Sequence, residues 1–324
     1  EGDHGDLSWE AGLRWERTDV QIVDLTADPD EAVNDNTYDH FLPSASLKYA
    51  VGNGRITASA ARTVRRPQFD HISPVLLEEE LGDNDFLGNP LLRPEKAWGI
   101  DLGYEHRLGR TGVIGVNLFY RDVSDLVELA TLLDADGNPV PGSAQDEGDE
   151  EVVAFVLRPQ NVGDGEVYGI EFDLSADLAF LGLPNTGVFG NLSLLDSKVT
   201  DAFGERRFNN QSDVVYNFGV IQNLPRAGVA FGATYRKQGS AYSRGVSEEV
   251  TTTYGADLEV FIEKRFGNHF TIRAVGSNLL NGRKREVFNK FDTIGDQVGR
   301  DFDEYELEAE EAGPVFQLVR RYAF

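Results

Sequence analysis

Apolar and polar residues alternate along most of this chain with a period of two. One such run sets Trp98, Ile100, Leu102 and Tyr104 against Ala97, Gly99, Asp101, Gly103 and Glu105. One side is large and apolar, the other small or charged, and period two is the repeat of a strand. The pattern returns at Leu7, Trp9, Ala11, Leu13 and Trp15 against Glu10, Gly12, Arg14 and Glu16. It returns again at Ile114, Val116, Leu118 and Tyr120, and most cleanly at Tyr168, Ile170, Phe172 and Leu174 against Gly169, Glu171, Asp173, Ser175 and Asp177. Val214, Tyr216, Phe218 and Val220 repeat it, as do Leu258, Val260 and Ile262 against Asp257, Glu259 and Glu263. These runs predict an all-β chain of about a dozen antiparallel strands and no convincing helix.

The connections divide into two kinds. Tight turns are expected at Gly52-Asn53-Gly54, Gly109-Arg110-Thr111-Gly112, Gly182-Leu183-Pro184-Asn185, Pro225-Arg226-Ala227-Gly228 and Gly267-Asn268. Long loops are expected over residues 24–39, 67–95, 128–151, 202–212, 243–252 and 281–313. The two kinds alternate, so one end of the strand array is trimmed and the other elaborate. Outer-membrane barrels have this asymmetry, with short periplasmic turns and long external loops. The polar faces point the same way. Asp101, Glu171, Asp173, Asp177, Asp257 and Glu263 would each need a partner in a dry core, whereas a watery lumen solvates them. The expectation is therefore a transmembrane barrel with these six residues facing the lumen. A rim enzyme on a barrel and a soluble β-rich binding module are the alternatives.

Composition narrows this further. Apolar residues make up 40% of 324, with 20 Phe and 11 Tyr, too apolar for a disordered chain and well suited to strands. No run is long and apolar enough for a transmembrane helix, which leaves a barrel open. There is no Cys, so no thiolate chemistry, and no Met at position 1 or elsewhere. The net charge of −25 disfavours nucleic acid and anionic headgroups. Acids concentrate in residues 28–39, 78–85, 134–151 and 292–311, read as solvated loops, those at 134–151 and 292–311 being external and mobile. Asp134-Ala135-Asp136-Gly137-Asn138 has the flavour of a calcium loop but lacks its distant Glu. Gly163-Asp164-Gly165 precedes a strand and not a helix, so it is no dinucleotide loop. The scattered histidines offer no His-x-x-x-His pair. No catalytic residue, metal site or cofactor is expected.

Four stretches resemble the TonB-dependent outer-membrane receptors. They are Arg65-Arg66-Pro67-Gln68-Phe69-Asp70-His71-Ile72-Ser73-Pro74; Gly88-Asn89-Pro90-Leu91-Leu92-Arg93-Pro94-Glu95-Lys96; Asn161-Val162-Gly163-Asp164-Gly165-Glu166-Val167-Tyr168-Gly169-Ile170-Glu171; and Ser277-Asn278-Leu279-Leu280-Asn281. The last precedes a terminal strand in which Phe316, Leu318, Tyr322 and Phe324 share a face, interrupted by Arg320.

The resemblance implies that residues 1–324 are the C-terminal part of a receptor barrel of about 22 strands. The plug, the TonB box and the upstream strands are expected elsewhere. Leu7–Val23 and residues 314–324 would then be open or partner-completed edges. It also implies the outer membrane of a Gram-negative bacterium and energised uptake of a scarce solute, a ferric siderophore or an oligosaccharide. The implied partners are outer-membrane lipid, TonB acting through the plug, the barrel-assembly machinery acting through the terminal strand, and the small-molecule or oligosaccharide ligand, with no nucleic acid. Arg65, Arg66, Phe69 and His71, where a strand meets a long loop, and Arg121 are the candidate ligand-binding residues.

Overall fold

The computed structural model describes all residues except 25–27, 29–31, 79–82, 110, 144–153, 268 and 324. Twelve long strands form an antiparallel meander in chain order. They are β1 (Leu7–Val23), β2 (Val33–Val51), β3 (Gly54–Arg65), β4 (Glu95–Leu108), β5 (Gly112–Thr131) and β6 (Val156–Leu178). After them come β7 (Leu183–Asp201), β8 (Val214–Leu224), β9 (Val229–Gln238), β10 (Asp257–Phe266), β11 (Phe270–Ser277) and β12 (Val315–Tyr322). Gly2–His4 is a short strand that folds back on Leu7, Ser8 and Trp9. Among the described residues no pairing joins β12 to β1, so the sheet is open.

Register keeps the apolar residues together. Ile100 lies opposite Tyr120, Leu102 opposite Leu118 and Tyr104 opposite Val116. Leu118 and Val116 then lie opposite Ile170 and Phe172, which pair with Leu194 and Leu192. The row continues through Tyr216, Phe218, Val220 and Ala233 to Val260. Trp9, Leu13, Trp15, Trp98, Ile100, Phe218, Ile262 and Leu318 on this face are all exposed. Asp101, Asn117, Glu171, Asn191 and Asn217 run along the opposite face. Because the side-chain period is two, a slip of one residue would exchange the faces.

The short turns have a common device. Gly52, Gly109, Gly182, Gly228 and Gly267 all have φ between +55° and +76°, the left-handed region that costs glycine nothing. All five turns lie at one end of the meander. At the other end the strands overrun. Residues 24–39 were expected to be a loop, yet residues 33–39 continue β2 in register with residues 17–23 of β1. On the face that carries Trp15 and Phe41, this overrun turns polar. Arg17 bonds Asp19 at 3.3 Å, Thr37 bonds Asp19 at 2.7 Å and Gln21 bonds Asp35 at 3.0 Å. The apolar alternation ends there but the backbone ladder does not, which is why the strand was read short.

The expectation of no helix and of a long mobile loop over 281–313 is also corrected. Among the described residues two short α-helices occur, α1 (Phe69–Ile72) and α2 (Ile294–Gly299). Gln211–Ser212, Ala241–Arg244, Glu248–Tyr254, Lys284–Lys290 and Glu304–Glu310 build a second, five-stranded sheet at the elaborate end. Most of the stretch 281–313 is thus paired backbone. The strands are fixed by continuous pairing, from Glu248–Lys290 to Tyr254–Lys284 and from Lys284–Glu310 to Lys290–Glu304.

Single cysteines should report the two faces of the meander in the complete protein in its membrane. Cysteine at Leu102 or Phe172 is expected to react with a lipid-soluble maleimide, and at Asp101 or Asp173 with a water-soluble one. Reversed labelling would mean that the register is wrong by one residue.

Candidate functional site

The chain between β3 and β4 does not loop outward; it crosses the polar face as a strap. Pro67, Pro74, Pro90 and Pro94 keep it from continuing either strand. On one side Arg66 bonds Thr18 at 2.9 Å and pairs with Glu16 of β1. Asn36 donates to the Pro90 carbonyl at 2.7 Å, and the Tyr38 hydroxyl to the Leu92 carbonyl at 2.9 Å, both from β2. On the far side Asn89 donates to the Pro159 carbonyl of β6 at 3.0 Å. Asn161 accepts from the Arg93 amide at 2.9 Å and donates to the carbonyls of Arg93 and Asp125 at 3.0 and 2.9 Å. Leu92 of the strap is fully buried. Gly88 has no room for a side chain, since a Cβ there would sit 1.9 Å from the Ser73 carbonyl oxygen. The two motifs beginning at Gly88 and Asn161 therefore meet in space and clamp each other.

Ion pairs finish the clamp. Asp125, at φ +57° within a bulge of β5, receives Arg93 and Lys96, each at 2.7 Å. Glu95 pairs with Arg65 at 3.0 Å and accepts from the Val127 amide at 3.1 Å. Of the five candidate ligand-binding residues, three cations are thus engaged within the chain. Arg65 holds Glu95, Arg66 holds Glu16, and Arg121 holds Asp101 at 2.8 Å above the Phe119 ring. Phe69 on α1 is 87% exposed, and the His71 ring lies 6.0 Å from that of Phe86. The structure brings Arg65, Arg66, Phe69 and His71 to the strap and its root. Arg121 lies apart, opposite Gly99 on the strand face.

The six acids of the polar face sit among short polar contacts. Asp101 has Arg121, and Glu171 accepts from Asn117 at 3.3 Å. Asp177 accepts from Thr111 and from the Ala179 amide. Asp257 pairs with Arg236 at 3.2 Å, and Glu263 lies 4.0 Å from Arg273. Asp173 is opposite Gly115 and Asn191. In the terminal strand, Phe316, Leu318 and Tyr322 lie opposite Gly276, Ala274 and Phe270 and are exposed, with Arg320 opposite Ile272. Phe324 lies outside the described residues.

The sequence reading missed the junction of the two sheets. Arg206, nearly buried, bonds Glu128 at 2.6 Å and Asp201 at 2.7 Å, and Arg244 bonds Asp201 at 3.0 Å. Arg300 pairs with buried Glu249 at 2.6 Å between the Phe291 and Phe302 rings. Glu248 accepts from the Asn84 amide at 2.8 Å, and burial raises its pKa above the usual 4.5 despite Asn84 and Lys290. The signal that could have found this sheet is the alternation Glu304, Glu306, Glu308, Glu310 against Tyr305, Leu307, Ala309. Asp134 accepts from the Asp136 and Asn138 amides of its own turn, and these bonds lower its pKa.

The family model described as TonB-dependent receptor-like β-barrel matches residues 3–279. Among solved structures the chain is similar to the copper transporter OprC, with 16% identity over 99% of this chain and 46% of that one and a TM-score of 0.66. It is similar to a mutant ferric enterobactin receptor, PfeA of Pseudomonas aeruginosa, in complex with enterobactin, at 18% identity, 98% and 43% coverage and TM-score 0.60. The FrpB iron transporter from Neisseria meningitidis gives 12%, 98%, 44% and 0.59. Identities this low carry the fold alone. The chain spans less than half the length of each of these structures. No curated protein matches it in sequence. The matched family is one of receptors and not of enzymes, which removes the rim-enzyme reading.

Replacing Asn161 with Leu removes three hydrogen bonds and leaves backbone groups of Arg93 and Asp125 without their partner. The complete protein should lose roughly 2–4 kcal/mol of unfolding free energy, measured by urea titration, with protease cleavage appearing in residues 67–94. Glu248→Gln tests the second sheet. A carboxyl whose folded pKa is raised contributes most below its unfolded value, and that contribution is lost as pH rises through the folded value. The Gln variant should therefore slow amide exchange in Glu248–Tyr254 at pH 7, and the difference from wild type should vanish below about pH 4.5. Equal exchange at both pH values would show that the carboxyl costs nothing there.

Proposed function

The chain belongs to the TonB-dependent receptor β-barrel family, and from that premise we propose that it forms part of the wall of a solute-uptake receptor in the outer membrane of a Gram-negative bacterium. One observation carries the reading: glycine turns trim one end of the meander, while the other end overruns and folds into a second sheet. In this reading the apolar face meets lipid and the trimmed end is periplasmic. Strands of 17–23 residues exceed the 9–11 needed to span a bilayer. Their polar overruns, such as Arg17–Asp19, then stand in external water. Asp101, Glu171, Asp173, Asp177, Asp257 and Glu263 line the lumen, where water and short ion pairs satisfy them. Residues 1–324 act as one barrel segment.

The cargo is a scarce solute of the ferric-siderophore or oligosaccharide class. The names of the similar structures, a ferric enterobactin receptor, an iron transporter and a copper transporter, support the metal-linked side. Phe69 and His71 on the strap are the residues offered to a ligand. Arg65, Arg66 and Arg121 act by holding the strap and strands beside it, and become ligand contacts only by exchanging their carboxylate partners. A plug supplied elsewhere in the receptor blocks the lumen and transmits the pull of TonB. The terminal strand is the part presented to the barrel-assembly machinery.

The complete receptor, placed in a Gram-negative host lacking its own ferric-enterobactin receptor, should accumulate radio-iron from ferric enterobactin or labelled maltodextrin. Accumulation should stop when a protonophore removes the energy source. Failure with both solutes, or accumulation that survives the protonophore, would overturn energised uptake of these classes.

A further inference from the structure

Where the two sheets meet, a cavity of about 300 Å³ opens between β5, the start of β6 and the small sheet. Leu129 and Leu157 give it apolar surface, while Glu128, Asn210, Ser243 and Glu248 give it polar surface. The two carboxyls differ in how they are served. Glu128 accepts from the Arg206 guanidinium and from the Asn209 amide. Glu248 accepts from a neutral group, the Asn84 side chain. The ammonium of Lys290 lies 3.4 Å from both Glu304 and Glu306, so its charge is shared among several acids. The side chains of Asn210 and Ser243 make no hydrogen bond among the described residues.

We propose that this cavity binds the ammonium group of a small organic amine. An ammonium has three donors and no acceptor. The Glu248 carboxylate, the Asn210 amide oxygen and the Ser243 hydroxyl oxygen are three acceptors on one cavity. Leu129 and Leu157 take the alkyl stem. An anion would meet Glu128 and Glu248 with no free cation in the lining. A bare metal ion is a poorer fit, because no group of three or more His, Asp or Glu residues among those described can hold one. A carboxylate held from water beside a neutral amide is costly, and an incoming cation removes that cost. The site stands apart from the uptake reading, since it is defined by binding and not by transport.

The test uses the complete receptor in detergent with butylammonium, butanol and butyrate as probes, read by saturation-transfer NMR. Butylammonium should bind, and the other two should bind at least about tenfold more weakly, the scale of one hydrogen bond to a charged group. Glu248→Gln should weaken butylammonium by a similar factor, and Leu129→Trp, which fills the apolar end, should abolish it. Amide exchange in the small sheet shows that each variant is folded. Equal binding of butanol and butylammonium, or unchanged binding in folded Glu248→Gln, overturns the proposal. So does the absence of butylammonium binding to wild type.

Discussion

The constraint on which the rest depends is that each peptide group of the meander must be bonded to a neighbouring strand while the side chains keep two unlike faces. In hydrocarbon an unpaired N–H or C=O costs several kcal/mol, so pairing must be continuous across the apolar band. Period two then leaves no freedom of register. Moving β5 by one residue against β4 would put Arg121 among Ile100 and Trp98 and bury Tyr120 against Asp101. The turn glycines fix the register from one end, because a left-handed residue at Gly52, Gly109, Gly182, Gly228 or Gly267 sets the loop length. Close packing fixes it along the strands. A Cβ on Gly169 would lie 2.8 Å from the Phe119 ring, and one on Gly219 would lie 2.4 Å from the Phe189 ring.

The strap follows from the same constraint on the other face. A chain crossing a strand face brings its own amides and carbonyls, and these need partners. Asn36, Tyr38, Asn89 and Asn161 provide them, Asn89 by accepting from the Leu91 amide, which explains why neutral side chains and not charges sit at these points. The charges do a second task. The net charge of −25 is not spread evenly; around the strap three acids have a cation close by, in Glu16–Arg66, Glu95–Arg65 and Asp125–Arg93. Exposed pairs of this kind contribute little each. Here they hold a fixed geometry in which several donors converge on Asp125 and Glu95.

This division also explains what could be read from the residues alone. The twelve strands were legible because large apolar and small or polar positions alternate without interruption at Trp98–Tyr104 and Tyr168–Leu174. The tight turns were legible from glycine. The start of β2 was not, because beyond Trp15 and Phe41 the face that carries them turns polar at Arg17, Asp19, Thr37 and Asp39, and hydropathy no longer tracks the ladder. The clamp between Asn161 and Arg93 was visible as two motifs but not as one contact, since 68 residues separate the partners. The small sheet was lost for a third reason. Its strands are short and rich in Glu, a residue that on average disfavours strands, so Glu304–Glu310 looked like solvated loop. Its stability comes from pairing with Lys284–Lys290 and from cations such as Lys290, a tertiary effect that local propensity does not record.

Glu128 and Glu248 show how far that tertiary compensation extends. Both leave bulk water at the junction of the sheets. Glu128 meets a guanidinium and a backbone amide, so the cost of burying it is met where it sits, and its removal would leave Arg206 with Asp201 as its one carboxylate. Glu248 meets one neutral amide and a share of one ammonium, and its pKa rises accordingly. A purely structural role would be filled as well by Gln, which keeps the acceptor for Asn84 and carries no charge to desolvate. A carboxylate at that position suits the proposed ammonium site, where the acceptors of Asn210 and Ser243 stand on the same cavity and match a donor with positive charge.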